Sequence, residues 1–179
     1  MEERMTICNM SIEGGARCGY INPDEKTYTY MKDKLCSPKN ENWKKAVNWW
    51  KSLESSDNCI YDDVFKLDAS KVEPTITWGI TPGQSIGVNQ KIPSLNEIDP
   101  NDQFIAGEAY EYMGFKPGQS IKNTPIDVCF IGSCTNGRIS DLRVAAQVLE
   151  HQKVAKNIKA FVVPGSEKVA KEAKEEGLD

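Results

Sequence analysis

The sequence predicts an α/β fold assembled from parts of two α/β domains and ending in a parallel sheet of βαβα order. The main observation is in the last third of the chain, where apolar strand-like runs alternate with helical stretches: IDVCFIG, DLRVAAQVLEHQKVA, IKAFVVP and SEKVAKEAKEEG. That alternation is the signature of strands paired in parallel through crossover helices. The second observation is that the first half carries capped and amphipathic helical segments followed by short alternating ones, so helix and strand are mixed there as well.

Taken in order, the start, EERMTICNMSIEGGARCG, reads as a short helix ending at the Gly14-Gly15 pair. Asn9 and Glu13 stand four apart in it and would share one face. Asn22-Pro23-Asp24-Glu25 reads as a helix start, with Asn22 as cap, and the helix is expected to run through TYTYMKDKL. In NWKKAVNWWKSLE, Trp43, Val47, Trp50 and Leu53 recur at helical spacing, which predicts a packing stripe. The stretch IYDDVFKLDASKVEPTITWG alternates as short strands do, and TPGQSIGVNQKIPS reads as loop. Asp99-Pro100 is expected to open a helix carrying Phe104, Ile105, Ala109 and Tyr112, closed by Gly114.

These readings divide the chain into residues 1–97, part of one domain; 98–125, a linker helix and loop; and 126–179, the start of the next domain. The sequence stops after a helix where a third strand is expected, and two strands do not make a stable sheet alone. The expectation is a truncated unit.

At 179 residues, with 39% apolar and 27% charged residues, the chain is built like a globular protein rather than a disordered one. The net charge of -4 supplies no basic face for nucleic acid. No apolar run reaches the roughly 20 residues of a membrane span. The N-terminus has no secretion signal, so the expected address is cytoplasmic. The six cysteines include no C-x-x-C pair and no zinc-finger spacing.

Chemistry concentrates at VCFIGSCTNGR, where a strand ends at Gly132 and a turn leads into a helix. Ligands of open α/β sheets bind at that edge, and a helix N-terminus favours a thiolate. Cys134 is therefore a structural thiol, a nucleophile or a metal ligand, and one cysteine does not choose among them. Cys129, within the strand, is expected to be a buried and inert hydrophobe. Pro164-Gly165-Ser166 ends the second strand at the same edge, with Ser166 as helix cap or, alternatively, as part of an anion site. His151 is the only histidine and sits at the polar end of a helix, so no histidine-based triad can be assembled here. A cysteine hydrolase at Cys134 would need that base from the wrong side of the sheet.

GSCTNGR, taken with MTICNMSIEGGARCGYINPDE and VVPGS in order along nearly the whole chain, resembles the aconitase superfamily. GYINPDEKTYTYMK, the tryptophan helix and VEPTITWGITPGQ are similar to its bacterial isopropylmalate dehydratase branch. The resemblance implies an aconitase-like fold and a [4Fe-4S] cluster, with Cys134 as the first of three cysteine ligands. The other two belong to a C-x-x-C pair absent from this sequence. It implies catalytic roles for Asn9 and Glu13, the residues matching the NMxxE motif. The implied activity is a hydro-lyase reaction that converts 2-isopropylmalate to 3-isopropylmalate in leucine biosynthesis. The implied partner is a separate small subunit that carries a serine base. With one of three ligands, the chain alone is expected to be inactive. The alternatives are a homoaconitase or related dehydratase, and a non-catalytic truncated product.

Overall fold

The structure, a computed structural model, describes residues 1–133 and 135–178. Packing divides the chain into two units, one of Met1–Asp63 with Val128–Asp179 and one of Val64–Asp127. Residues 98–125 lie within the Val64–Asp127 unit.

In the Val64–Asp127 unit, β1 (Thr75–Thr77) pairs antiparallel with β2 (Ser85–Gly87), Ile76 opposite Ile86. The stretch from Thr81 onward, expected to be loop throughout, supplies both the turn and β2. Pro82-Gly83 occupies the turn, a pairing that presets one φ and frees the next. Buried Gln84 holds the turn together, its Oε1 accepting from the N–H groups of Ile80 (2.6 Å) and Thr81 (3.2 Å).

The helix α4 (Gln103–Met113) follows and ends at Gly114, whose φ of 69° is the left-handed cap that glycine accepts without strain. Its start lies three residues later than Asp99-Pro100 suggests, since Asp99 Oδ1 accepts from Asn101 N (2.9 Å) in a turn of its own. Ala106, Ala109 and Tyr110 are inside, whereas Phe104 and Tyr112 are exposed. Far from being only a connector, α4 joins Trp78, Ile92 and Ile121 in the main hydrophobic cluster. The Tyr110 ring stacks on Trp78 at 5.1 Å, and its hydroxyl donates to the carbonyl of Pro93 at 2.6 Å, which satisfies the polar end of a buried aromatic.

In the other unit, β3 (Val128–Gly132), α5 (Ile139–Leu149), β4 (Lys159–Val163) and α6 (Glu167–Glu175) follow the expected order, and β3 pairs parallel with β4, Phe130 opposite Phe161. Leu142 of α5 and Ala173 of α6 are buried, and Arg143 ties the two helices by donating to Glu176 (2.8 Å) and Glu172 (3.3 Å). Helix α5 stops at Leu149 rather than continuing toward Ala155, because His151 takes a left-handed φ of 61°. His151 is exposed, as its polar surroundings predict. Cys129 is half-buried rather than sealed in a core, and its strand neighbours Val128 and Phe130 are exposed.

The same unit holds α1 (Glu2–Met10), α2 (Glu25–Met31) and α3 (Glu41–Lys51). The cap of α2 is Asp24, not Asn22: Asp24 Oδ1 accepts from Thr27 N at 3.1 Å. Asn22 instead accepts from the N–H and hydroxyl of Ser55, both at 3.1 Å. Helix α2 also ends early, since Lys32 is extended and Asp33 has a φ of 61°. On α3, Trp50 stacks on Tyr28 and meets Trp43 edge-on at 5.6 Å, so the two tryptophans of the predicted stripe pack, whereas Leu53 lies past the helix end and is exposed.

Candidate functional site

The turn after β3 is shaped by two glycines. Gly132 has a φ of 103°, and a Cβ there would collide with the carbonyl oxygen of Val163 on β4. Gly137 is buried, its carbonyl accepting from Gly165 N at 2.8 Å, and a Cβ on it would lie 2.8 Å from that same nitrogen. The ends of β3 and β4 therefore stand together at one sheet edge, as the sequence suggests. Ser166 serves as the cap of α6, its hydroxyl accepting from Val169 N at 3.2 Å.

Cys134, the expected cluster ligand, lies outside the described residues, and so does Asp179. On either side of Cys134 the turn is braced. Ser133 Oγ accepts from Asn136 N at 3.1 Å, and Arg138 N donates to Asp141 Oδ2 at 3.0 Å at the start of α5.

Helix α1 reaches this turn through Thr6. The Thr6 hydroxyl stands 3.0 Å from Asn136 Oδ1 and accepts from an Arg138 Nη at 3.1 Å. It also lies 3.1 Å from the carbonyl of Glu2, so its single proton is shared between two acceptors. Asn9 is on the same helix, one turn on, and exposed. Glu13 does not share a helical face with it. The helix ends at Met10, and Glu13 lies exposed in the following turn, where Gly15 N donates to Ile12 O (2.9 Å) and Ala16 N to Ser11 O (3.0 Å). The chain then doubles back so closely that a Cβ on Gly19 would lie 2.6 Å from the Cα of Cys8.

A second tie on α1 is the fork of Arg4 onto Asp24, at 2.8 and 2.7 Å to the two carboxylate oxygens. The Arg4 guanidinium, helped by the Thr27 N–H, holds the Asp24 carboxyl well below the usual carboxylate range. Thr6, Asn136, Arg138 and Arg4 were not singled out from sequence. Only Asn136 and Arg138 carried a signal, by standing in the GSCTNGR stretch.

Among the described residues no group of three His, Cys, Asp or Glu side chains could hold a metal ion. Cys8 and Cys59 are half-buried and Cys18 and Cys36 exposed. The donor set of the described residues thus does not fit an iron–sulfur cluster. No helix among the described residues is long and apolar enough to cross a membrane.

Comparison with known proteins places these features. The aconitase family (aconitate hydratase) matches over residues 1–179. The chain is 94% identical to the 3-isopropylmalate dehydratase large subunit of Prochlorococcus marinus subsp. pastoris (strain CCMP1986 / NIES-2087 / MED4) across its full length, which is 38% of that relative. It is 84% identical to the protein of the same name from Prochlorococcus marinus (strain MIT 9515) and 60% identical to that of Synechocystis sp. (strain ATCC 27184 / PCC 6803 / Kazusa), again over all 179 residues and 38% of each relative. The chain therefore spans well under half the length of the curated relatives it matches.

Proposed function

Because the chain belongs to the aconitase family, we propose that it acts as part of a 3-isopropylmalate dehydratase large subunit, interconverting 2-isopropylmalate and 3-isopropylmalate by removal and re-addition of water in leucine biosynthesis. The observation that carries this reading is 94% identity over all 179 residues to a large subunit of that name. The partner is the small subunit, and the setting is cytoplasmic. The segments 1–97 and 126–179 are read as contributions to two successive domains of the longer protein, joined by 98–125.

Members of the family carry iron–sulfur clusters. A cluster with an open iron supplies Lewis-acid chemistry at a hydroxyl oxygen when bound. Cys134 is proposed as one of its three thiolate ligands. Since the donors described in this chain do not fit the cluster by themselves, the steps proposed here are confined to side chains. Glu13, as the carboxylic acid, gives a proton to the departing hydroxyl so that it leaves as water, and takes one back when water is re-added, a role for which an accessible carboxyl on a turn is suited. Asn9 holds the geometry around it by hydrogen bonding. Both are exposed in this chain, so each is free to meet substrate or another part of the enzyme.

The test is anaerobic iron and sulfide reconstitution of the complete large subunit with its small subunit, followed by assays with 2-isopropylmalate, homoaconitate and citrate. Turnover of isopropylmalate well above the other two is expected. Preference for homoaconitate or citrate would overturn the substrate, and stable cluster absorbance with turnover from the 179-residue chain alone would overturn the need for further ligands. In the complete enzyme, Glu13→Gln is expected to lower kcat by about 10²–10⁴-fold, the usual contribution of a positioned acid or base.

A further inference from the structure

We infer that Thr6 and Arg138 form a polar latch that positions α1 against the turn after β3, and through it sets the placement of Asn9 and the Glu13 turn. The inference rests on the functional reading above for its catalytic meaning, and on geometry for the latch itself.

Helix α1 has little apolar anchoring. Among the described residues of this helix none is buried, so apolar packing, the ordinary source of helix docking, is weak here. What ties it to the Cys134-bearing turn is the Thr6 hydroxyl, 3.0 Å from the Asn136 side chain and 3.1 Å from an Arg138 Nη. Arg138 is itself fixed, because its backbone N–H is bonded to Asp141 at 3.0 Å. Asn136 is fixed likewise, by its N–H on Ser133 Oγ. Thr6 therefore meets two groups whose backbone is already in place, and a hydrogen bond to a guanidinium is of the stronger, charge-assisted kind.

Asn9 follows Thr6 by three positions, on the neighbouring turn of the same helical face. A tilt of α1 released at Thr6 is carried to Asn9 and then to residues 11–15. Small misplacements of this sort reduce turnover steeply without removing a reacting group. Thr6 and Arg138 are accordingly positioning residues, acting through Asn9 and Glu13.

The complete large subunit with its small subunit is the system for the test, with Thr6→Val, which keeps the shape and removes the hydroxyl, and Thr6→Ser, which restores it. Amide exchange at residues 136–138 reads the latch without reference to activity. Exchange there should speed by about tenfold in Thr6→Val, as loss of one ordinary hydrogen bond predicts, and return in Thr6→Ser. In the reconstituted enzyme Thr6→Val should lower kcat by about tenfold with KM within about twofold, and Thr6→Ser should recover most of it. Unchanged exchange in Thr6→Val would overturn the latch on geometry, whatever the activity. Faster exchange with unchanged kcat, or Thr6→Ser as impaired as Thr6→Val, would overturn the positioning role. A parent enzyme with no hydro-lyase turnover would overturn that role through the functional reading on which it rests, and the exchange result would still decide the latch.

Discussion

Residues 64–127 and the remainder of the chain divide the labour of folding and chemistry unevenly. In the first, Trp78, Ile92, Ala106, Ala109, Tyr110 and Ile121 close over one another. In the second, the aromatic pair Phe130 and Phe161 at the centre of the parallel sheet stays 60% and 50% exposed. The groove between that sheet and its helices, about 930 Å³, is lined by apolar side chains such as Ile131, Val162 and Leu142 without being filled. Every residue assigned to chemistry lies in this second, open region. The contrast is one of packing within these 179 residues: the 64–127 cluster closes on itself, whereas the candidate site is held by glycine turns, caps and polar ties.

The comparison is broken most directly at Ile92, 1% exposed. Ile92→Ala should destabilise the 64–127 unit by about 3 kcal/mol, within the range for emptying a well-packed aliphatic site. Trp78 is the only tryptophan of that unit, so its fluorescence, followed in urea in a background where Trp43, Trp49 and Trp50 are phenylalanine, reports the loss. Protection lost equally across both units in amide exchange would show that the chain has one cooperative core rather than a closed region and an open one.

The next effect sharpens the contrast by pitting two left-handed glycines against each other. Gly114 has a φ of 69° with nothing near an added Cβ, whereas Gly132 has a φ of 103° and faces the Val163 carbonyl. Gly114→Ala should cost about 1 kcal/mol, the backbone term alone. Gly132→Ala should cost about 2–3 kcal/mol, because strain and collision add. Equal losses in urea unfolding would mean that the two strand ends at the candidate site separate without resistance.

The same contrast explains what could be read from sequence. The βαβα order was legible because each strand and helix from Ile126 onward carries its own apolar pattern, and the pairing of β3 with β4 follows from it. Strand β2 was not, since it lies in a glycine- and proline-bearing stretch and the hairpin depends on a buried glutamine side chain satisfying two backbone N–H groups. The buried face of α4 was not legible either, since Phe104 and Tyr112 are large aromatic residues yet exposed, while two alanines fit beside Trp78 instead. At the site, motif resemblance named Asn9 and Glu13, but α1 ends at Met10 and the chain returns past Cys8 at Gly19, a contact eleven residues away that the motif does not encode. The Thr6 contacts span about 130 positions, a separation that no local pattern encodes.

The smallest effect concerns the Arg4–Asp24 fork. The pair is open to water, so screening keeps its contribution modest, yet its pH signature is specific. The folded carboxyl titrates below its ordinary value of about 3.9, chiefly through the Arg4 hydrogen bond. Its stabilising contribution is therefore complete above that ordinary value, and it fades as pH falls through it toward the lower folded value. Asp24→Asn keeps a side chain able to cap α2 at Thr27 and removes the charge. In urea unfolding, the variant should be slightly less stable than the parent at neutral pH, and the gap should close as the solution is acidified below about pH 4. A gap that persists unchanged in acid would assign the loss to the cap rather than to the ion pair, leaving Thr6 as the tie on which the placement of α1 depends.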